Sequence, residues 1–455
     1  MQHIHDLIGI GFGPSNVGLA IALEEHRAAH GRAPQAFFIE RQPSFAWHPH
    51  MLLDHAHMQI SFLKDLATLR NPQSRFTFLN YLHEQGRLQD FINLKSFYPS
   101  RHEFNDYLGW AARQFEGQCA YGEEVFEVLP EPGPDGVVEQ LRVRSRNAAG
   151  RVQERLARNL IVGVGGTARI PEVFRGLQGD PRVFHSSTYL RDIARQGAAR
   201  SIALIGAGQS AAEIFMDLQG RPHAPEVDWV MRARAIRPSD DSPFVNEIFN
   251  ADFTDYMFGR SAPERESLLR EYAHTNYAVA DLELIQQVFK TFYEQRVTGG
   301  RRLRMLRQHE VRAARADASG VYFTFHDRES GEESTVRYDA AVLATGYERA
   351  AHRDVLAPLA PYLGDFTVDR HYRVQTAPGF RPAIFLQGAC ESSHGLSDTL
   401  LSVTAVRTGE IGQVLAAALP PAREPLRTRG PDAPARGSTG GAGGAERETQ
   451  HLHVA

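Results

Sequence analysis

Two short glycine phrases are the first places where this sequence could hold a ligand. Gly11-Phe-Gly13-Pro14-Ser-Asn16 follows a short apolar run (5–11) and opens the helical stretch VGLAIALEEHRAA. Gly206-Ala-Gly208-Gln209-Ser210-Ala211 follows SIALIG and opens a second helical stretch, EIFMDLQ. In such turns the first glycine allows the tight reversal, and the second lets the backbone approach a pyrophosphate at a helix N-terminus, where free N–H groups favour an anion. The third glycine of the usual G-x-G-x-x-G is replaced by Asn16 in one turn and Ala211 in the other. The strand AFFIE ends in Glu40, 24 residues beyond Asn16, where a carboxylate would accept from a ribose hydroxyl. The matching strand VDWVMR ends in Met231-Arg232-Ala-Arg234 with no acid. An arginine there suits the 2′-phosphate of NADP. Arg232, Arg234 and Arg237 are all candidates, and simple solvation of the three is the alternative.

The remaining chemistry-bearing residues are quieter. Lys64 lies in Met58-Gln59-Ile-Ser-Phe-Leu-Lys64-Asp-Leu66, among apolar neighbours. It could fix a substrate carboxylate, although on spacing alone a snorkelling surface lysine is the ordinary reading. Asn246 (in SPFVNEIF) and Asn276 (in HTNYAV) sit in aromatic surroundings and read equally as caps or satisfied core amides. The phrase Asp339-Ala-Ala-Val-Leu-Ala-Thr345-Gly346-Tyr347 is a strand ending at a glycine, expected to lead from the second nucleotide domain back to the first. Of the 20 histidines, His48, His50, His55 and His57 cluster without HExxH spacing or a cysteine partner, so no metal site is expected. Cys119 and Cys390 are far apart, which excludes a CxxC pair and a disulfide framework and fits a reducing compartment. There is no G-x-S-x-G elbow and no Walker lysine motif.

The elements that must position these residues form a repeat. Each glycine turn sits in a strand–turn–helix–strand unit. Each unit is followed by β-rich runs (124–164 and 311–345) broken by turn signals such as PEPGPDG and RNAAG, and each closes on an apolar strand that stops at glycine. The expected fold is therefore α/β, with two Rossmann-like dinucleotide-binding domains and a helical substrate-binding region. The expected boundaries are 1–168 and 339–420 for the first domain, and 169–338 for the second, with a helical insertion at about 242–296. Residues 47–110 are expected to be aromatic-rich and largely helical. The tail, 421–455, is rich in Gly, Ala, Pro and Arg and reads as disordered.

The chain has 455 residues, 42% hydrophobic and 23% charged, with a net charge of −4. That balance fits a globular protein of two or three domains and leaves no basic stripe for nucleic acid. No apolar run approaches the roughly 18 residues that span a bilayer, and no signal peptide precedes the first strand, so no membrane partner and a cytoplasmic location are expected.

The sequence resembles the ornithine Nδ-monooxygenases of bacteria and fungi and, less closely, the lysine Nε-hydroxylases of siderophore biosynthesis. The resemblance rests on GFGPSN, WHPHMLL, MQISFLKDLATLRNPQSRFTFLNYL, GAGQSAAE, RPSDDSPFVNEIFN, HTNYAV, LATGY and HGLSDTLLS, and runs from the N-terminus to about Leu419. It implies an NADPH-dependent flavin monooxygenase that transfers oxygen from O2, through a flavin hydroperoxide, to the side-chain amine of L-ornithine. The product would be N-hydroxyornithine for a siderophore or related natural product. FAD and NADPH are the implied cofactors, and a homo-oligomer, often a tetramer in the family, is implied as well. Lys64 would hold the substrate carboxylate, with Asn246 and Ser402 at the same end. Asn276 would lie near the side-chain nitrogen and the nicotinamide ribose, and Gln59 by the flavin and oxygen. The implied cofactor contacts add Pro14, Trp47, His48, Gln209, Ser210, Thr345, Gly346, Tyr347 and Leu400 to the glycine turns, Asn16, Glu40 and the arginines. In such a family Asn16 is the expected residue in the first turn.

Lysine, a diamine or aspartate remain alternative amines. A Baeyer–Villiger or S-oxidising enzyme is an alternative reaction, faintly suggested by His185-Ser-Ser-Thr-Tyr189. A flavin disulfide reductase would share both nucleotide domains, but it needs a cysteine pair that is missing.

Overall fold

The apolar run at the start of the chain forms β1 (Ile4–Ile10), the glycine turn opens α1 (Pro14–His30), and β2 (Ala36–Glu40) returns parallel to β1 with Ile10 opposite Ile39. Leu7 and Ile8 are fully buried because parallel strands carry helices on both faces. The coordinates are a computed structural model that describes residues 3–197 and 199–419, so the expected tail at 421–455 lies outside the described residues.

The stretch expected to be helical from Trp47 to Trp110 is helical only in its second half. Residues 52–77 run as turns and coil, and α2 (Phe78–Glu84), α3 (Leu88–Leu94) and α4 (Arg101–Arg113) follow. Buried Asp65 explains the coil. Its carboxylate accepts from the N–H groups of Ala67 (2.8 Å), Thr68 (2.6 Å) and Phe78 (2.7 Å) and from the Thr68 hydroxyl (2.7 Å). Side-chain bonds of this kind compete with a helical ladder. β3 (Cys119–Tyr121), β4 (Glu123–Pro132), β5 (Val138–Asn147) and β6 (Val152–Val162) complete the first sheet in the order β3-β2-β1-β6-β5-β4.

The chain crosses to a second sheet through β7 (Thr167–Ala168) and lays down β8 (Val183–His185), α5 (Tyr189–Ile193), β9 (Ser201–Ile205), α6 (Gln209–Gly220) and β10 (Glu226–Met231). An insertion follows, with β11 (Arg237–Pro238), α7 (Ala251–Phe258), α8 (Ala262–Glu271), β12 (Val279–Ala280) and α9 (Leu282–Val297), so residues 242–296 carry three α-helices joined by short turns and the β12 strand. After β13 (Leu303–Arg307), β14 (His309–Asp317), β15 (Gly320–Asp327) and β16 (Glu333–Tyr338) form a separate antiparallel sheet, and β17 (Ala340–Leu343) enters the second sheet. The order there is β13-β10-β9-β17-β8.

The position of β17 corrects the expected boundary at 338/339. β17 pairs parallel with β9 and β8 and is buried along its length, so it belongs to the second sheet. The crossing back comes at β18 (Tyr347–Glu348), antiparallel to β7, which places the two crossings side by side. Two short helices, α10 (Ala351–Val355) and α11 (Ala360–Leu363), lead to β19 (Ile384–Leu386), which joins the first sheet beside β6. After α12 (Glu391–His394), α13 (Thr404–Ala417) packs along α1.

Arg407 of α13 is 2% exposed and Asp398 1%. Its Nη1 donates to Asp398 Oδ1 at 3.0 Å and its Nη2 to the Ser15 hydroxyl at 2.9 Å, tying the last helix to the first turn of α1. Arg407→Met would leave the Asp398 carboxylate buried without its counter-charge, at a cost of about 3–5 kcal/mol. A clear fall in the thermal unfolding midpoint is expected, and an unchanged midpoint would contradict that role.

Candidate functional site

The first glycine turn is closed by the end of another strand. Gly11 has φ +82°, and a Cβ on it would lie 2.6 Å from the carbonyl oxygen of Gly163, just past β6. Asn16 is fully buried. Its Nδ2 donates to the carbonyls of Gly11 (2.6 Å) and Ile10 (3.3 Å), and its Oδ1 accepts from Gln387 Nε2 at 2.9 Å. The asparagine thus knits the ends of β1 and β19 together, which a glycine could not do. Glu40 braces the turn, with Oε2 accepting from Phe12 N–H (2.7 Å) and Oε1 from Gln42 N–H (2.8 Å); each oxygen keeps a lone pair for a ribose hydroxyl.

The space beside this turn suits an anion. Pro14 is the first helical residue of α1, no side chain caps the helix at Gly13, and its first turn holds no acid. A Cβ on Gly13 would meet nothing within 4 Å. Four polar atoms of the neighbouring stretch 387–407 are buried without partners among the described residues: Gln387 Oε1, the Ser397 and Ser402 hydroxyls and Arg407 Nε. An uncapped helix end with open space beside Gly13 is what a bound pyrophosphate would use.

The second turn repeats the design. Gly206 has φ +143°, and a Cβ there would stand 2.2 Å from the carbonyl of Ala344, immediately after β17. Gly208 precedes α6, whose first turn carries Gln209 and Ser210 and no acid. Of the three arginines, Arg234 is paired with Glu329 at 3.2 Å. Arg232 and Arg237 are exposed and make no ion pair among the described residues. Arg237 is also set in the two-stranded pairing of β11 with β12, opposite Val279.

The ATGY phrase lies at the crossing between the sheets. The Thr345 hydroxyl donates to the Arg169 carbonyl at 2.5 Å, and Gly346 O accepts from Arg169 N–H at 3.0 Å. Tyr347 packs edge-on to His48 (6.2 Å) and to His185 (5.3 Å), and Trp47 lies against His48 at 5.1 Å. Trp47 and His48 of the first domain are thereby gathered beside the crossing. The His48 ring remains open to solvent, yet the surrounding protein pushes its pKa down to about 4. Both features together fit a neutral side chain lining a deep cleft.

The residues expected around the substrate come from four separate segments. Lys64 is half-buried, and burial holds its ammonium below the usual lysine range. No ion pair or hydrogen bond satisfies that ammonium among the described residues, and its neighbour is the Phe249 ring, 6.0 Å from Nζ to the centroid. Phe249 shares a short helical turn, Val245–Phe249, with Asn246. Asn246 Nδ2 donates to the Asp241 carbonyl at 2.7 Å, and its Oδ1 is left open. That turn packs on Leu396–Thr399, just before Leu400 and Ser402. Arg70 joins the Lys64 coil to α13, with Nη1 donating to the Ala405 carbonyl at 2.9 Å. Asn276, at the end of a further turn, has no side-chain hydrogen bond among the described residues. Its segment runs past the second glycine turn, with Ala278 Cα 3.7 Å from the Cβ position of Gly208.

Gln59 is held differently from the others. Its Nε2 donates to Asp281 Oδ1 at 2.8 Å, and Asp281 also binds Gln209. The Gln209 side chain is therefore taken up by protein, leaving only its backbone, at the start of α6, for a ligand. Asp281 and Arg101 support the site but carry no motif of their own, and Asp65 is marked only by standing next to Lys64 in SFLKDL. Glu213 stands in GAGQSAAE, three residues past Ser210, and that phrase was its only signal in the sequence. Cys119 and Cys390 are free thiols, with burial pushing Cys119 up to about 12 and Cys390 well above its ordinary value, so neither is poised for redox exchange.

The family model described as L-lysine 6-monooxygenase/L-ornithine 5-monooxygenase matches residues 3–349. The L-ornithine N(5)-monooxygenase of Pseudomonas aeruginosa is 52% identical over 412 residues, covering 90% of this chain and 93% of that protein. The solved ornithine hydroxylase of Pseudomonas aeruginosa superposes with a TM-score of 0.88 at 51% identity, covering 91% of this chain and 99% of the other. The ornithine N-hydroxylase of Kutzneria sp. 744, solved with reduced FAD, NADP+ and L-ornithine, has a TM-score of 0.85 at 38% identity, covering 91% and 99%.

An unpaired, partly desolvated ammonium is a cost to the ligand-free protein. Lys64→Met keeps the stem and removes the charge, so the ligand-free protein is expected to melt at a higher temperature, while stabilisation by an added amino acid is lost. A lower melting temperature for the ligand-free variant would mean that Lys64 has a stabilising partner.

Proposed function

The chain belongs to the L-lysine 6-monooxygenase/L-ornithine 5-monooxygenase family, and we propose that it uses FAD, NADPH and O2 to hydroxylate the side-chain nitrogen of L-ornithine. N-hydroxyornithine, a precursor of siderophores or related compounds, is the product of this reading. The observation that carries it is the set of unsatisfied groups at the cleft. Among the described residues, the Lys64 ammonium and the buried Ser402 hydroxyl have no partner, and Asn246 and Asn276 keep open amide groups. An amino acid with an amine at the far end answers this set: a carboxylate for Lys64 and Ser402, an α-ammonium for Asn246 Oδ1, and a side-chain nitrogen for Asn276. The identity to ornithine enzymes on both sides of the comparison favours ornithine over lysine as the amine.

In this reading FAD lies along the first glycine turn, with Gly11, Gly13, Pro14 and Asn16 at its pyrophosphate and Glu40 at its ribose. NADPH lies along Gly206, Gly208 and Ser210, with Arg232 or Arg237 at the 2′-phosphate. Bound flavin, reduced by NADPH, supplies the oxygen-activating chemistry. The protein's own contribution is to bind, orient and keep water out. The nucleophile must be a neutral amine, and a free alkylammonium has a pKa near ~10.4. Asn276 can accept from the nitrogen without adding a charge that would hold the proton there. Phe249 walls the Lys64 end of the site, and Trp47 and Tyr347 line the crossing beside His48, aromatic surfaces that restrict water.

The test is hydroxylamine formation from ornithine, lysine, putrescine, cadaverine and aspartate, with FAD, NADPH and O2. Product from ornithine alone supports reaction and substrate together. Product from another amine moves the substrate, and peroxide alone across the panel overturns the reading.

Two variants separate the ends of the site. Lys64→Ala removes a charge-assisted contact worth roughly 1.5–3 kcal/mol, so the KM for ornithine should rise about 10- to 100-fold while NADPH oxidation persists. Asn276→Asp should bind the amine as ammonium and abolish hydroxylation. Undiminished hydroxylamine from that variant would remove Asn276 from the nitrogen's neighbourhood.

A further inference from the structure

Five side chains from separate parts of the chain form one continuous hydrogen-bonded line. Arg101 of α4 donates through Nη1 and Nη2 to both oxygens of Glu213 in α6, at 2.8 and 2.7 Å. Glu213, 6% exposed, accepts from Gln209 Nε2 at 2.8 Å. Gln209 Nε2 also donates to Asp281 Oδ2 at 2.8 Å, while Gln209 Oε1 accepts from Asp281 N–H at 2.9 Å. Asp281 Oδ1 then accepts from Gln59 Nε2 at 2.8 Å.

The direction of every bond in this line is fixed by its buried end. The Glu213 carboxylate, held by the Arg101 guanidinium, can only accept, so Gln209 must turn its NH2 towards it. The Asp281 backbone N–H can only donate, which demands the Gln209 oxygen on that side. Asp281 is then left accepting from two amide NH2 groups, and Gln59 must present its nitrogen to Asp281 and keep its oxygen free. Amide orientation follows from the network.

Asp281 also closes the segment that carries Asn276. Ser239 holds that segment from one side, its hydroxyl donating to the Thr275 carbonyl at 2.7 Å and its N–H to the Ala280 carbonyl at 2.9 Å. Within it, Ala278 sits at φ +56°, a conformation that a residue with a Cβ keeps only when its surroundings impose it. Asp281, three residues on, fastens the end to α6.

We propose that Asp281 is a positioning residue for the hydroxylation: it sets which face of the Gln59 amide is offered to the cleft and holds the Asn276 segment in register with it. This rests on the functional reading above. Asp281 acts through Gln59 and Asn276 and touches no reacting atom itself.

Asp281→Asn keeps the size of the side chain but has only one oxygen. Gln209 is pinned by Glu213 and takes that oxygen, so the new NH2 faces Gln59 and turns its amide over. With FAD-loaded enzyme and saturating NADPH and ornithine, NADPH consumption should stay within about twofold, while hydroxylamine formed per NADPH consumed falls about five- to tenfold, the scale of one misdirected hydrogen bond. The missing product should appear as H2O2, the two electrons of NADPH going to O2. Adding Gln59→Ala to Asp281→Asn should lower the yield by clearly less than the product of the two single effects, because part of what Asp281 does passes through the Gln59 amide. Gln209→Met, which frees the network at another link, should shift the yield in the same direction. It serves as the test if Asp281→Asn does not retain FAD. A wild-type yield in a folded Asp281→Asn or Gln209→Met variant overturns the proposal, as do fully independent effects in the double variant. Absence of hydroxylamine from the wild-type enzyme instead overturns the functional reading.

Discussion

The arrangement depends on two places where the backbone reverses with no room for a side chain. At each, a glycine lies against the carbonyl at the end of a neighbouring strand: Gly11 against Gly163, Gly206 against Ala344. A Cβ at either position would force the two strand ends apart and swing the following helix away from its sheet. Because the reversals hold, α1 and α6 both begin as uncapped helices with no acid in the first turn. The fold therefore carries two positive helix ends, and the two crossings, β7 and β18, are paired beside them.

Rigid turns alone would leave the substrate segments unanchored, since these come from coil and short helical turns. The anchoring is done by buried side-chain bonds. Asp65 fixes the coil after Lys64 with four acceptor contacts, Arg70 carries that coil onto α13, and Arg407 carries α13 onto α1. Each carboxylate or guanidinium in this set is paired, although Arg407 keeps Nε open, whereas the Lys64 ammonium has no partner among the described residues. An anchored frame around that cation gives up stability there, as the proposed binding role of Lys64 requires.

The sequence made the two nucleotide units legible because glycine turns, apolar strands and terminal charges have a fixed spacing that follows from backbone geometry. Lys64, Asn246, Asn276 and Ser402 were singled out only through resemblance, since a lone lysine or asparagine has no spacing that marks it. The structure places the first two around Phe249 and leaves Asn276 and Ser402 with open polar groups. Three things were hidden. Helical content before Phe78 was overestimated because the aromatic residues pack on a coil held by Asp65, which periodicity cannot report. The sheet that owns Ala340–Leu343 depends on pairing between distant strands. The Arg101–Glu213–Gln209–Asp281–Gln59 line joins residues up to 222 positions apart, so no local pattern contains it.

That line also suggests why the site meets its amine with amides. A carboxylate beside the reacting nitrogen would hold the proton that must leave, so polarity has to reach the cleft without charge. Glu213 carries a charge, but it is buried and spent on Arg101. Asp281 carries another, and both of its oxygens are occupied by amide NH2 groups. In the proposed reading, what faces the ligand is the end of the relay, the oxygen of Gln59, together with the amide of Asn276. A buried ion pair fixes direction, two intermediate groups pass it on, and a neutral acceptor delivers it. The same geometry with an acid at the last position would have equal order and the wrong protonation state.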